Sequence, residues 1–192
     1  MKKTLIALAA VSALAAPAKA ALPVGAPAPE FTGKAYLNGE AAPYSLDKAL
    51  KKGPVVLYFF PGAFTGGCNI EAHEFATAID DYKAQGATVI GLTSYYGTAD
   101  RAAGPHEEGL DAAVRDFSKQ HCNGKFPVAA ASAQTVTAYD VPLPAKPSIS
   151  NRTSFVITPD HKIIAVYSDL NPSKHVAMTL DALKAWRATH PQ

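Results

Sequence analysis

The sequence predicts an α/β domain: a mixed central sheet flanked by helices, with a β-hairpin ahead of it. Three observations carry this. Residues 55–60, VVLYFF, are a continuous apolar run rich in β-branched and aromatic residues. The run is too short for most helices and reads as a buried strand. A helical stretch follows, then a second core strand, ATVIGL, at residues 87–92, with no hairpin turn between them. That order makes a right-handed unit with parallel pairing. Further on, residues 152–157 and 163–167 flank the turn Pro159-Asp160-His161-Lys162 and read as an antiparallel pair, which makes the sheet mixed.

The chain has 192 residues, enough for one domain with a substantial core. Residues 1–20 differ in kind from the rest. Lys2 and Lys3 precede an apolar run at 5–16, and Ala18-Lys19-Ala20 has the small-x-small form of a signal-peptidase site. Pro17 and Lys19 cut the run well short of the roughly 20 apolar residues a membrane span needs. The expected division is a signal peptide, 1–20, and a single domain, 21–192. Cleavage after Ala20 implies export, to the periplasm in a Gram-negative source. Apolar content of 48% and charged content of 18% fit a globular chain. With a net charge of +2 and no Lys/Arg run longer than two, neither nucleic-acid nor membrane binding is expected.

Residues 21–29 are proline-rich and read as an extended arm. Asn38-Gly39 centres a hairpin over 31–44. Ser45 caps a short helix that ends before Gly53-Pro54. The helix after the first strand is expected to turn Ile70, Phe75, Ile79 and Tyr82 inward, to keep Glu71, Glu74, Asp80 and Lys83 on other faces, and to stop at Gly86. Residues 93–109 form a polar connection, whose Tyr95 and Tyr96 read as capping the sheet rather than flanking a site. A helix over 110–120, a strand over 126–130 and a helical turn over 132–139 follow. Pro142, Pro144 and Pro147 make 142–147 a rigid loop. Asn171 opens the last helix with Pro172 at its first position, and Val176, Leu180, Leu183 and Trp186 face inward.

The chain has two cysteines, Cys68 and Cys122. In an exported protein the plain reading is a structural disulfide. A mature domain of this size needs no such staple, and Cys68 sits where chemistry is expected. It follows the turn Pro61-Gly62-Ala63-Phe64-Thr65-Gly66-Gly67 at the start of a helix, where exposure is expected. Unpaired backbone N–H groups and the positive end of the helix dipole favour the thiolate there, and the thiolate is the nucleophile.

Pro61-x-x-x-Thr65-x-x-Cys68 resembles the active-site loop of the peroxiredoxins, and Asn151-Arg152-Thr153-Ser154-Phe155-Val156-Ile157 resembles the strand that supplies their arginine. Further likenesses run through nearly all of the mature chain: the entry Gly25-Ala26-Pro27-Ala28-Pro29-Glu30-Phe31, then Phe126-Pro127, then Asn171-Pro172-Ser173-Lys174-His175-Val176. They are most similar to the peroxiredoxin Q, or bacterioferritin-comigratory, group. The resemblance implies a thioredoxin-like sandwich and a thiol peroxidase that reduces hydrogen peroxide and organic hydroperoxides. It implies that Cys68 is the peroxidatic nucleophile, that Thr65 and Arg152 direct hydrogen bonds to sulfur and peroxide, and that Pro61 covers the sulfur. No cofactor and no metal are expected. The reductant would be a thioredoxin-like protein or a low-molecular-weight thiol, and the state a monomer or homodimer.

One departure matters. Many members of that group carry a resolving cysteine five residues after the peroxidatic one, where this chain has His73. Resolution then falls to an external thiol or to Cys122, which the fold would place toward the edge opposite the site, within reach only after local unfolding. A thiol–disulfide exchange protein or a binding module is the alternative. The absence of C-x-x-C weakens the first, since Asn69, Ile70 and Glu71 follow Cys68.

Overall fold

A computed structural model describes residues 21–97 and 109–191. Residues 1–20, expected to be a signal peptide, and most of the 93–109 connection lie outside the described residues. Among the described residues seven strands form one mixed sheet, in the spatial order β2 (Glu40–Ser45), β1 (Thr32–Leu37), β5 (Val128–Ala130), β4 (Thr88–Thr93), β3 (Val55–Phe59), β8 (Thr153–Ile157), β9 (Ile163–Ser168). Inside it lies β3 (Val55–Phe59), with all five residues buried. Helices cover both faces there, so the strand is apolar throughout rather than alternating. β3 pairs in parallel with β4 (Thr88–Thr93) and antiparallel with β8 (Thr153–Ile157). β8 in turn pairs antiparallel with β9 (Ile163–Ser168).

The hairpin of β1 (Thr32–Leu37) and β2 (Glu40–Ser45) turns at Asn38 and Gly39, with φ of 50° and 78°. Both central residues of a tight hairpin turn need positive φ, which explains that dipeptide. The N-terminal hairpin is present as expected and joins the sheet. β1 pairs antiparallel with β5 (Val128–Ala130) and extends the sheet at one edge.

Side chains alternate across β3, so Val56 and Tyr58 enter one core while Val55, Leu57 and Phe59 enter the other. The first core lies beneath α2 (Gly66–Thr77), α3 (Ile79–Ala84), α4 (Leu110–Gln120) and α6 (His175–Thr189). Phe75, Tyr82, Phe117 and Leu183 fill it. The second lies beneath α1 (Leu46–Leu50) and α5 (Ala133–Ala138), with Leu46, Leu50 and Tyr139. Each such side chain contributes about 1.5–3 kcal/mol on burial. The Ser45 hydroxyl accepts from the Lys48 N–H at 3.2 Å and caps α1 as expected.

Four expectations are corrected. The helix after the turn begins at Gly66, before Cys68, and breaks at Ala78 into α2 and α3. That start sets the buried stripe to Cys68, Glu71, Ala72, Phe75 and Ala76, so Glu71 is inside and Ile70 is 54% exposed. Residues 142–147 are not a bare loop, because β6 (Pro142–Leu143) and β7 (Lys146–Ser150) pair antiparallel there. The opening of the last helix is as expected: Asn171 caps it through Oδ1, which accepts from the Ser173 N–H at 3.1 Å, and Pro172 stands first in an initial 3-10 turn, Pro172–Lys174. On α6 it is His175, Thr179, Leu180 and Leu183 that are buried, while Val176 and Trp186 are only partly so.

Candidate active site

The loop between β3 and α2 is fixed on two sides. The Phe60 carbonyl accepts from the Ser150 hydroxyl at 2.8 Å, which ties the end of β3 to β7. The Ala63 N–H donates to the Tyr95 carbonyl at 3.0 Å, and the Gly97 N–H donates to the Ala63 carbonyl at 2.7 Å. Phe64 takes the left-handed conformation, φ 58°, and turns its ring onto Phe117 and His121, each with a centroid separation of 5.4 Å. A Cβ on Gly62 would stand 2.7 Å from the Tyr95 ring, so only glycine fits. Tyr95 therefore flanks this loop and does more than cap the sheet. The helix follows at once: the Cys68 and Asn69 N–H groups both donate to the Thr65 carbonyl at 2.9 Å.

Cys68 lies in the first turn of α2, is 1% exposed and is a free thiol. The expected exposure is not found, because the stripe that turns Phe75 to the core also turns the sulfur inward. Arg152, buried just ahead of β8, reaches across and donates from Nη2 to Cys68 Sγ at 3.4 Å. Its Nε donates to the Leu170 carbonyl at 2.8 Å, and its Nη1 pairs with Glu71 Oε2. Three anchors thus hold one planar fork. Gly67 makes room for it: a Cβ there would sit 3.2 Å from Nη2. The first-turn N–H groups of α2 add the positive end of the helix to the same spot.

Behind the arginine lies a buried polar group. Glu71 is fully buried, and its second oxygen, Oε1, stands 3.5 Å from His175 Nδ1. His175 is also fully buried, with Nδ1 2.8 Å from the Ser154 hydroxyl and Nε2 2.9 Å from the Asp169 carbonyl. A carbonyl only accepts, so Nε2 carries the hydrogen and the neutral ring presents Nδ1 as an acceptor. Burial pushes the Glu71 carboxyl up to about 8, against the pull of Arg152. Burial likewise pushes the His175 imidazole down to about 4.

Of the residues singled out from the sequence, the fold brings Cys68 and Arg152 into contact. Thr65 caps the same helix, but its hydroxyl donates to the Gly62 carbonyl at 2.9 Å. It can serve the sulfur or a peroxide only as an acceptor. The Cys68 N–H is taken by Thr65, leaving the Gly67 N–H among the free donors of the first turn. Pro61 sits at the bend that ends β3, half-buried. Cys122 is fully buried in the apolar cluster that also holds Cys68, and its neighbour His121 packs on Phe64 of the loop. Burial pushes the Cys122 thiol well up, so it rests as a neutral thiol. Glu71 and His175 escaped sequence reading. A glutamate three residues after Cys68 shares its helix face, and that spacing was the available signal.

A guanidinium held against a helix-start thiol, on this sheet, defines a thiol peroxidase of the thioredoxin-like class. Comparison with known proteins agrees. The AhpC/TSA family profile matches residues 24–166. The chain belongs to that family, and the relatives it is similar to include proteins named peroxiredoxin Q and peroxiredoxin bcp. It is 27% identical to the chloroplastic peroxiredoxin Q of Sedum lineare, over 84% of this chain and 77% of that protein. It is 28% identical to the chloroplastic peroxiredoxin Q of Oryza sativa subsp. japonica, over 84% of this chain and 66% of that one. Among solved structures, the fold is similar to peroxidoxin BcpB from Mycobacterium tuberculosis, with TM-score 0.67 and 23% identity over 84% of this chain and 96% of that one. It is also similar to Mycobacterium tuberculosis AhpC, with TM-score 0.69 and 18% identity over 89% and 96%.

Proposed function

We propose that this peroxidase is exported, that it reduces hydrogen peroxide and organic hydroperoxides at Cys68, and that an external thiol regenerates it. The contact of Arg152 Nη2 with the Cys68 sulfur at 3.4 Å carries the reading. The Cys68 thiolate attacks one peroxide oxygen in line with the O–O bond. An S–O bond forms, the O–O bond breaks, and the leaving oxygen takes a proton to depart as water or alcohol. Cys68 becomes a sulfenic acid. Arg152 offers preorganised N–H donors where the negative charge moves, in a site shielded from water. Thr65, with its proton already given to Gly62, accepts from the peroxide O–H. Pro61 has no N–H and closes the loop side of the sulfur. An external thiol then displaces water to give a mixed disulfide, and a second thiol restores Cys68.

Cys122 as resolving thiol is the second reading. It is favoured by its burial in the same apolar cluster as Cys68 and by the contact of its neighbour His121 with Phe64. Its neutral, fully buried state argues for the external thiol. Mass spectrometry after one equivalent of peroxide separates the two. The expected product is a sulfenic acid on Cys68 that persists until thiol is added. A Cys68–Cys122 linked peptide would overturn that result in favour of the second reading.

Export rests on the Lys2-Lys3, apolar and Ala18-Lys19-Ala20 sequence of residues 1–20. It is also supported by the arm that follows, where the Leu22 N–H donates to the Tyr139 carbonyl at 3.2 Å and the Gly25 N–H to the Ile163 carbonyl at 2.8 Å. Packed chain is thus present from just after the expected cleavage point. The exported protein is expected to begin at Ala21 on N-terminal sequencing. Recovery in the cytoplasm with an intact residue 1–20 segment would exclude export.

A further inference from the structure

We propose that Glu71 and His175 together hold one proton, on the Glu71 carboxyl, and that His175 is the positioning residue that keeps it there, leaving the Arg152 charge to the Cys68 sulfur. The inference rests on Cys68 being the reacting thiol.

Two facts of geometry lead to it. Glu71 Oε1 is buried and has no hydrogen-bond partner among the described residues. It faces His175 Nδ1 at 3.5 Å; in the neutral ring, with Nε2 donating to the Asp169 carbonyl, Nδ1 is an acceptor that the Ser154 hydroxyl, at 2.8 Å, shares. An ionised carboxylate oxygen that faces the nitrogen lone pair is repelled by it, and a proton on the carboxyl removes that repulsion and shares the acceptor with Ser154. The charge count leads the same way. With Cys68 as thiolate, Arg152 contributes +1, Cys68 −1 and an ionised Glu71 −1, so the buried group would carry −1. One proton on Glu71 makes it neutral. An ionised Glu71 would also compete with the sulfur for the same guanidinium, since Nη1 meets Glu71 and Nη2 meets Cys68.

The surroundings favour the carboxyl as the carrier. Burial pushes Glu71 up to about 8 and His175 down to about 4. The other charged or titratable groups facing the pair are Arg152, Glu74 on the same helix, Tyr58 on β3, Tyr82 on α3, and Asp169 with Tyr167 beside the imidazole. Arg152 opposes the proton on Glu71, and Glu74 supports it. Asp169 draws a proton toward His175, but less than burial repels it. His175 is fixed by Ser154 and by the turn of residues 169–171, whose Leu170 carbonyl also anchors Arg152. One turn of chain thus sets the arginine and the group behind it.

The test combines a spectrum with kinetics. Infrared spectra of the reduced protein at neutral pH are expected to show a protonated-carboxyl C=O band that is absent in Glu71→Gln and fades as pH rises through about 8. The rate of Cys68 oxidation by hydrogen peroxide is expected to fall above that pH. The sign follows because loss of the proton leaves the carboxylate to draw Arg152 away from the sulfur. Glu71→Gln, whose amide is a fixed stand-in for the protonated acid, is expected to be about threefold slower at the plateau and to lack the alkaline fall. His175→Leu is expected to slow oxidation about tenfold, and by much less when combined with Glu71→Gln. A structural role for His175 would give the same loss on both backgrounds. Absence of the Glu71 band at neutral pH, an unchanged alkaline limb in Glu71→Gln, or independent costs in the double variant would each overturn the proposal. If the wild-type protein does not react with peroxide, the enzymatic reading fails, and the carboxyl band still reports on the proton.

Discussion

Replacing Cys68 with serine is expected to lower the rate of peroxide consumption by at least about 10³-fold, roughly 4 kcal/mol of barrier. Serine keeps the size of the side chain and the first turn of α2, so the fold is expected to survive. The loss is chemical. A hydroxyl in this position stays protonated and forms no stable bond to oxygen, and among the described residues no base is hydrogen-bonded to it. The described group in contact with the sulfur is the Arg152 guanidinium, and it and the positive end of the helix stabilise an anion without removing a proton. The check is peroxide consumption by the purified variant with excess thiol, alongside a thermal melt. Activity within tenfold of the wild type would remove Cys68 from the reaction and the proposed function with it.

Arg152→Lys is expected to cost about 10²-fold, in line with the loss of one preorganised donor at a site of developing charge. Lysine keeps the charge but not the fork. The guanidinium meets the Leu170 carbonyl, Glu71 Oε2 and Cys68 Sγ with three different nitrogens. An ammonium group cannot hold that geometry, and it is more strongly hydrated in a site where residue 152 is 4% exposed. The measurement is the second-order rate constant for oxidation of Cys68. A variant within threefold of wild type would mean that charge alone suffices and that the fork is incidental.

Much of this architecture was legible in the sequence, for identifiable reasons. β3 and β4 announce themselves because a doubly covered parallel strand has to be apolar throughout. The hairpin turn is read from Asn38-Gly39, since few residue pairs accept two positive φ angles. Cys68 and Arg152 are visible through the family's spacing, although 84 residues apart in the chain. What stayed hidden depends on helix phase. Starting α2 two residues before Cys68 rotates the buried stripe, which takes the sulfur and Glu71 inside and leaves Ile70 in solvent. Hydrophobicity alone would have put the isoleucine inside. His175 stayed hidden because its partners, Glu71, Ser154 and the Asp169 carbonyl, come from three separate elements. Tyr95 was assigned to the sheet cap because nothing local shows that Gly62 leaves a place for its ring.

The ring of Phe64, lodged between Phe117 and His121, sits directly ahead of the turn that buries the sulfur. With Cys68 1% exposed behind it, a bulky thiol would need that ring withdrawn before it met the sulfur, and a small oxidant would need less room. Seating the ring more firmly is therefore expected to slow recovery more than capture, and to lengthen the time the oxidised sulfur stays open to sulfinic acid formation.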